Sequence, residues 1–178
     1  MNKFLLALAA LASTASFAQT VVPQGSEISF TSRQMGVPVD GRFNQWTAQI
    51  NFDPKAPATG KVAFNIQTGS ASFGAAETDT EVKKSAWFDI GKFPTATFQS
   101  SSIKAAGPGR FDVAGKLSIK GQVRDVLVPV TLTGNVASGS FAIKRLAFGI
   151  GSGEWADTSM VADDVQVKFK LQLASLKP

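Results

Sequence analysis

The sequence predicts an all-β antiparallel domain, and three observations support this fold class. Apolar and polar residues alternate in stretches such as KVAFNIQT (61–68) and VQVKFKLQL (165–173), which is the period of a strand with one dry face and one wet face. Turn-forming residues interrupt the alternation at short intervals, as in the Gly-Pro-Gly stretch at 107–109. The regular succession of strands and long helices that indicates a parallel sheet is missing.

The same alternation predicts about eight strands. They cover residues 26–33, 37–43 bending into 46–53, 61–68, 95–104, 110–120, 123–133, 140–145 and 165–173. Further turns are predicted at Asp53-Pro54, Gly60, Gly121 and Ser138-Gly139. Eight such strands can form a sandwich or close into a barrel, and periodicity alone does not choose between the two.

One short helix interrupts the strands. Thr78 is predicted as its N-cap, because Glu81 follows three residues later and completes a capping box. The helix is expected to end by Ser85 or Ala86. The stretch GEWADT (153–158) is expected to be a loop or a single turn.

The first 18 residues have the three parts of a secretory signal peptide. Lys3 precedes an apolar run at 4–12, and the small-residue stretch Ser16-Phe17-Ala18 follows as a cleavage site. Cleavage after Ala18 predicts one exported domain, residues 19–178. No later stretch approaches the roughly 18 uninterrupted apolar residues of a membrane-spanning helix.

The residue types that carry most enzyme chemistry are missing. The chain has no histidine, cysteine or tyrosine, so disulfides, thiolate metal ligands and the usual general base are excluded. Carboxylates remain, and six of the 13 fall in two groups, Glu77, Asp79 and Glu81 and then Asp157, Asp163 and Asp164. A carboxylate pair or a calcium site is conceivable there, but acidic residues in a first helical turn also complement the helix dipole. We expect no enzyme and no metal.

The charge is mildly basic and evenly spread. The 18 basic and 13 acidic residues give a net charge of +5, which favours anionic surfaces such as a membrane leaflet. We expect no nucleic-acid partner, because that would need a basic cluster interleaved with aromatic residues.

Phenylalanine is abundant in this chain, which has 14 of them and no tyrosine. Phenylalanine can line a dry space without the hydrogen-bond partner that a buried tyrosine hydroxyl needs. The composition therefore favours a large apolar cavity, although each single phenylalanine can equally belong to an ordinary core.

Five stretches together resemble the YceI-like family of exported lipid-binding proteins. They are FTSRQMGVPVDGRF (30–43), INFDP (50–54), SAWFDIGKFPTATFQS (85–100), GKLSIKGQVRDVLVPV (115–130) and FGIGSGEWADTSMVADDVQVKFKL (148–171). The match runs over nearly all of residues 19–178 in the family's order. The resemblance implies an eight-stranded antiparallel lipocalin-like barrel with a short helix and an apolar central tunnel.

The resemblance also implies a function. We expect a periplasmic binding or carrier protein for an isoprenoid lipid, either a polyprenol or an isoprenoid quinone, with this lipid as ligand and no cofactor. Its partners would be the lipid and, transiently, the membrane surface or a membrane redox protein, and it would be a monomer or a homodimer.

Two alternatives stay open. The protein could act through its surface in envelope stress or partner binding, with the barrel interior only a core. It could also be an enzyme acting on a bound lipid, with Arg33, Glu154 or Asp157 at the mouth. A filled interior would favour the surface-acting alternative, and a continuous tunnel would favour the carrier.

The inward apolar positions are predicted to contact the ligand. They are Phe30, Phe43, Phe64, Ile66, Trp87, Phe88, Phe98, Leu117, Ile119, Phe141, Phe148 and Phe169. By the resemblance, Trp87, Phe88 and Phe93 form an apolar lid at the barrel mouth or wall. Many family members carry a histidine where this chain has Gln34, so head-group contact is assigned to Arg33 or Gln34.

Overall fold

The computed structural model describes residues 19–174, which fold as one antiparallel sheet of ten strands. The predicted signal peptide, residues 1–18, lies outside the described residues. The strands are β1 (Val21–Gln34), β2 (Val37–Phe43), β3 (Trp46–Asn51), β4 (Lys61–Gln67), β5 (Ala71–Ser72), β6 (Thr95–Gly107), β7 (Arg110–Ile119), β8 (Gln122–Thr133), β9 (Val136–Lys144) and β10 (Asp164–Leu173). None of the helices within residues 19–174 has the length and apolar character that crossing a membrane requires.

The sheet curls until its two ends meet. Its strand order is β3-β4-β6-β7-β8-β9-β10-β1-β2-β5. Because β2 passes into β3 through Asn44 and Gln45, one bent stretch of chain pairs with β1 at one end of the sheet and with β4 at the other. Gln19 joins the same ends: its backbone N–H donates to the Ile50 carbonyl at 2.6 Å, and its side-chain Oε1 accepts from the Phe52 N–H at 2.9 Å. The sheet thereby encloses an apolar interior.

The predicted antiparallel lipocalin-like barrel is confirmed, but the strand count is ten instead of eight. The bend between β2 and β3 divides a stretch that the alternation treated as continuous, and the two residues of β5 are too few to show a period. The turn predicted at Ser138-Gly139 is wrong, because both residues lie inside β9 and the chain turns at Gly134, which has a φ of 55°. The 3₁₀ turn Gly153–Ala156 confirms the expectation for GEWADT.

The predicted capping box is also wrong. The predicted short helix is present as α1 (Ala76–Glu81), the only α-helix of the described residues, and it ends by Ser85 as expected. Its N-cap, however, is Ala75, which makes no side-chain hydrogen bond, and not Thr78. Instead, the Asp79 carboxylate accepts hydrogen bonds from two residues that precede the helix, from the Phe73 N–H at 2.6 Å and from the Ser72 hydroxyl at 2.8 Å. The bond from Phe73, aided by the bond from Ser72 against an opposing effect of desolvation, lowers the pKa of Asp79. These bonds tie α1 to the end of β5.

Three interior phenylalanines lie over glycines of a neighbouring strand. The pairs are Phe30 with Gly41, Phe98 with Gly115 and Phe169 with Gly139. A Cβ atom added to any of these glycines would come within 2.6 Å of a ring carbon, closer than real Cβ contacts allow. The rings therefore occupy the space of the missing side chains, an arrangement known to stabilise glycines within sheets. Because they lie against the wall, the middle of the barrel stays open.

We predict that Gly41→Ala lowers the free energy of unfolding by about 1–3 kcal/mol, because the added methyl group must displace the Phe30 ring. Urea denaturation measures the change. Gly91→Ala is the matched control, since a Cβ there would meet nothing within 4 Å. Equal stabilities of the two variants would contradict the packing of Phe30 over Gly41, and Phe30→Leu should restore part of the loss in Gly41→Ala.

Candidate functional site: an apolar cavity in the barrel

The barrel contains a cavity of about 670 Å³. This volume lies within the range of about 300–1,000 Å³ that is usual for small-molecule sites. Nearly all of the long strands contribute to its wall, and all but six of the lining side chains are apolar. The polar six are Ser32, Gln34, Glu77, Thr78, Glu81 and Arg145. The site is therefore suited to an apolar molecule with at most a small polar end.

Eleven of the twelve residues predicted to contact a ligand line this cavity. They are Phe30, Phe43, Phe64, Ile66, Trp87, Phe88, Phe98, Leu117, Ile119, Phe141 and Phe169. Their contact with a ligand stays a prediction. Phe148 is the one that does not line the cavity. It is buried in the core, at 2% exposure, and the Arg124 guanidinium lies 6.0 Å from its ring centroid. It belongs to the 3₁₀ turn Arg145–Phe148, where strand alternation does not apply.

The aromatic segment before β6 covers the top of the cavity, the barrel end that carries α1. Trp87 and Phe88 line the cavity, and the Phe88 ring centroid lies 6.0 Å from that of Phe43. Phe93 does not line it, because its ring packs against Gly121 in the turn between β7 and β8. The predicted lid therefore consists of Trp87 and Phe88 without Phe93.

Lys120 holds this lid segment to the top of the barrel. Its Nζ donates to the carbonyls of Ser85 and Gly149, both at 2.8 Å. Desolvation lowers the pKa of the Lys120 ammonium group, and the nearby Asp89 carboxylate opposes this effect. The Ala86 carbonyl adds a further link, since it accepts from the backbone N–H groups of Gly151 and Ser152 at 2.8 Å.

Arg145 is a buried residue at the top of the cavity that the sequence did not single out. It is 1% exposed, and its guanidinium lies 5.9 Å from the Trp87 ring centroid. A guanidinium has five N–H donors. In Arg145 they serve the backbone carbonyls of Ala162 (3.0 Å), Ile150 (2.9 Å), Gly151 (3.0 Å), Trp155 (2.6 Å) and Val161 (2.7 Å). Arg145 thus holds the irregular segment 150–162 over the barrel.

The sequence carried one signal for this arrangement. Gly149, Gly151 and Gly153 all adopt positive φ, which lets the segment curl so that its carbonyls face one point. A Cβ atom at Gly151 would collide with the Arg145 guanidinium. A spaced run of glycines after an arginine does not by itself reveal these contacts, so sequence reasoning placed Arg145 at the end of a strand.

The mouth of the cavity is defined by its exposed lining residues, Gln34, Met35, Glu77 and Met160. The Met35 N–H donates to the Met160 carbonyl at 2.8 Å, which joins the β1–β2 turn to the segment that Arg145 holds. Trp155 lies beside this opening, with its ring centroid 5.4 Å from that of Trp87.

The two proposed head-group residues are placed differently. Gln34 lines the cavity at the mouth, whereas Arg33 does not line it and its Nη1 donates to the Gly36 carbonyl at 3.2 Å. Neither assignment is tested by these positions.

Of the carboxylates considered for catalysis or calcium binding, Glu77 and Glu81 line the cavity at the end that carries α1, and the others do not line it. Glu154 and Asp157 are exposed and do not line it. Asp157 accepts from the hydroxyl and the N–H of Ser159, and these bonds, the hydroxyl bond first, lower the pKa of Asp157. Within residues 19–174 no group of three or more His, Cys, Asp or Glu side chains could hold a metal ion.

A curled antiparallel sheet around a large apolar cavity is the architecture of a lipocalin-like barrel. The chain belongs to the YceI-like family, because the profile of the YceI-like domain matches residues 19–173. The resemblance seen in the sequence is thereby confirmed.

Solved structures share the fold. BcnA of Burkholderia cenocepacia is 42% identical, with a TM-score of 0.82 over 88% of this chain and 100% of that chain. A polyisoprenoid-binding domain from Saccharophagus degradans, implicated in plant cell wall breakdown, is 16% identical, with a TM-score of 0.65 over 89% of this chain and 97% of that chain. At 16% identity, the similarity to the Saccharophagus degradans domain shows a shared fold and no more.

A curated relative matches over a shorter length. A UPF0312 protein of Azotobacter vinelandii is 32% identical over 94 residues, which are 53% of this chain and 49% of the relative. The chain therefore spans about half the length of this relative.

We predict that Arg145→Lys lowers the free energy of unfolding by about 3 kcal/mol. Lysine has three donors in place of five, so at least two buried carbonyls lose their partners, at about 1–3 kcal/mol each. Thermal and urea denaturation measure the change. Arg42→Lys, at an exposed arginine, is the matched control and should change stability little. An Arg145→Lys protein as stable as this control would show that the five bonds do not hold the segment 150–162.

Proposed function

We propose that this protein is a periplasmic carrier that binds an isoprenoid lipid, a polyprenol or an isoprenoid quinone, inside its barrel. The observation that carries the proposal is the apolar cavity of about 670 Å³. A barrel interior that served only as a core would be close-packed, with few voids larger than a water molecule. The cavity therefore favours the carrier over a protein that acts only through its surface.

The energetics of an isoprenoid chain fit such a site. Each buried methylene group contributes about 0.8 kcal/mol, and an octaprenyl tail has on the order of forty carbons, so burial exceeds the ordering costs of binding. The description of the Saccharophagus degradans neighbour as a polyisoprenoid-binding domain supports the same ligand class at the level of the fold. The periplasmic location rests on the signal-like residues 1–18.

Binding of this kind needs no catalytic group, and we propose no enzymatic activity. Most of the cavity wall consists of phenyl and aliphatic side chains, which offer neither a nucleophile nor a general base. The two lining carboxylates are Glu77, exposed at the mouth, and Glu81, which is paired with Lys84. The bound lipid is the proposed ligand, and no cofactor accompanies it. Loading and unloading would need transient contact with a membrane surface.

The first test identifies the ligand. Mature protein purified from a bacterial periplasm is extracted with organic solvent, and mass spectrometry should find a polyprenyl lipid or quinone at about one per chain. A folded protein that carries no lipid and takes up neither ubiquinone nor polyprenols when they are offered would refute the carrier function.

A pair of variants on β9 tests whether the ligand lies in the cavity. Ala137 lines the cavity, whereas Ala142 on the same strand is exposed and does not line it. We predict that Ala137→Phe, which fills part of the apolar space, weakens ubiquinone binding roughly tenfold or more, equivalent to about 1.4 kcal/mol. Ala142→Phe should bind as the unaltered protein does. Titration of each variant, after its fold is checked by circular dichroism, measures the difference.

Charges at the entrance support an uncharged head group. Glu77 lies at the mouth, and Glu81 lines the cavity nearby, where the Lys84 ammonium pairs with it. Within residues 19–174, Arg145 is the one cation that lines the cavity, and backbone carbonyls engage all five of its donors. A phosphate group would meet negative charge at the mouth, whereas a hydroxyl or a quinone carbonyl would not.

Two probes with the same tail test this preference. We predict that geranylgeraniol binds at least roughly tenfold more tightly than geranylgeranyl phosphate. Glu77→Gln should reduce this ratio of affinities, because it removes the repulsion between the Glu77 carboxylate and the phosphate group. Isothermal titration gives both affinities. Glu27→Gln, at an exposed position outside the cavity wall, is the control and should leave the ratio unchanged. Tighter binding of geranylgeranyl phosphate would contradict the preference for an uncharged head group but would leave the proposed carrier function standing.

A further inference from the structure

We infer that the protein docks on a lipid bilayer through an apolar rim at the mouth, formed by Met35, Val37 and Met160. This inference rests on the proposed function, because it assigns the surface through which the ligand enters. It also orients the molecule, with the end of the barrel that carries α1 facing the membrane.

The rim consists of large apolar side chains that the fold leaves in solvent. Met35 is 78% exposed, Val37 62% and Met160 46%. The first two belong to the β1–β2 hairpin, and the Met35 N–H donates to the Met160 carbonyl at 2.8 Å, so the three lie together. Exposed apolar residues that occur singly need no explanation, but a grouped set indicates an interaction site.

The rim is continuous with the cavity. Met35 and Met160 are exposed and also line the cavity wall. An apolar chain that passed from a bilayer into the barrel over these two side chains would remain in contact with apolar groups. A docked rim would therefore connect the two apolar environments without a step through water.

The backbone of Met35 gives a second, independent observation. Met35 and Gly36 form the two-residue turn between β1 and β2 with φ values of 47° and 80°. Positive φ at both positions is the type I′ geometry, which favours asparagine, aspartate or glycine at the first position and disfavours methionine. Turn geometry and solubility would both favour a polar residue at this site. A residue whose backbone conformation its own side chain disfavours, at the edge of a site, points to a function there.

The chemistry of the rim fits a bilayer. Methionine side chains are flexible and adapt to irregular apolar surroundings. The Arg33 guanidinium donates to the Gly36 carbonyl in the turn that carries Met35, and the Glu77 carboxylate lies at the mouth, so the charges near the rim have both signs. Docking is therefore mainly apolar, and we expect it to depend only weakly on salt and on the fraction of anionic lipid.

Loading from vesicles tests the inference. Phosphatidylcholine vesicles containing an octaprenyl ubiquinone are mixed with ligand-free protein, and quinone uptake is followed by quenching of Trp87 and Trp155, which line the cavity. A water-dispersed, decyl-tailed ubiquinone measures uptake without a membrane. We expect Met35→Asn to slow vesicle loading at least fivefold relative to uptake of the decyl compound, while its melting temperature stays equal or rises. We expect Val37→Thr, whose side chain lies outside the cavity wall, to slow vesicle loading about twofold.

A matched control lies on the outer wall of the barrel. Leu127 of β8 is 57% exposed and does not line the cavity. Leu127→Thr should load from vesicles at the unaltered rate. If Met35→Asn and Val37→Thr load from vesicles as fast as this control, or if Leu127→Thr is slowed equally, the docking surface is wrong. If the unaltered protein takes up neither quinone, it is the proposed function that fails.

Discussion

The open interior depends on where the phenylalanine rings lie. The interior of a small β-barrel has room for its own side chains or for one small ligand. In this protein Phe30, Phe98 and Phe169 lie over glycines of adjacent strands instead of pointing towards the barrel axis. The glycines therefore determine the free volume as much as the aromatic residues do, and the rings form part of the cavity wall. An aromatic-rich interior can in this way remain a container.

The segment 150–162, which covers the barrel, has irregular backbone beside the apolar cavity. Buried carbonyl groups need hydrogen-bond donors, and the segment 150–162 has no strand partner along most of its length. Arg145 supplies five donors from one planar group, and the Trp87 ring covers its face. The cation thus stabilises the cover and is not available to a ligand.

Strands with one dry and one wet face were predictable from the sequence, since burial of one face imposes a period of two residues. The alternation also identified most of the cavity wall, because the barrel interior is the dry face. It failed where contacts between distant residues decide the structure. Gly139 was predicted as part of a turn, but it lies within β9 and leaves room for the Phe169 ring of β10. Phe148 was predicted to line the cavity, but it lies in the 3₁₀ turn that follows β9. Barrel closure followed only from the family resemblance.

The pairing of β1 with β10 determines when during synthesis the barrel can form. The register joins Val21 to Leu173 and Thr31 to Gln166, so the first strand has an open edge until the last strand has been synthesised. Pairings this distant in sequence form slowly, and unpaired edges invite aggregation in the meantime. Until β10 pairs with β1, the sheet is not complete and encloses no cavity. The space that could hold a lipid comes into existence only when the final segment arrives.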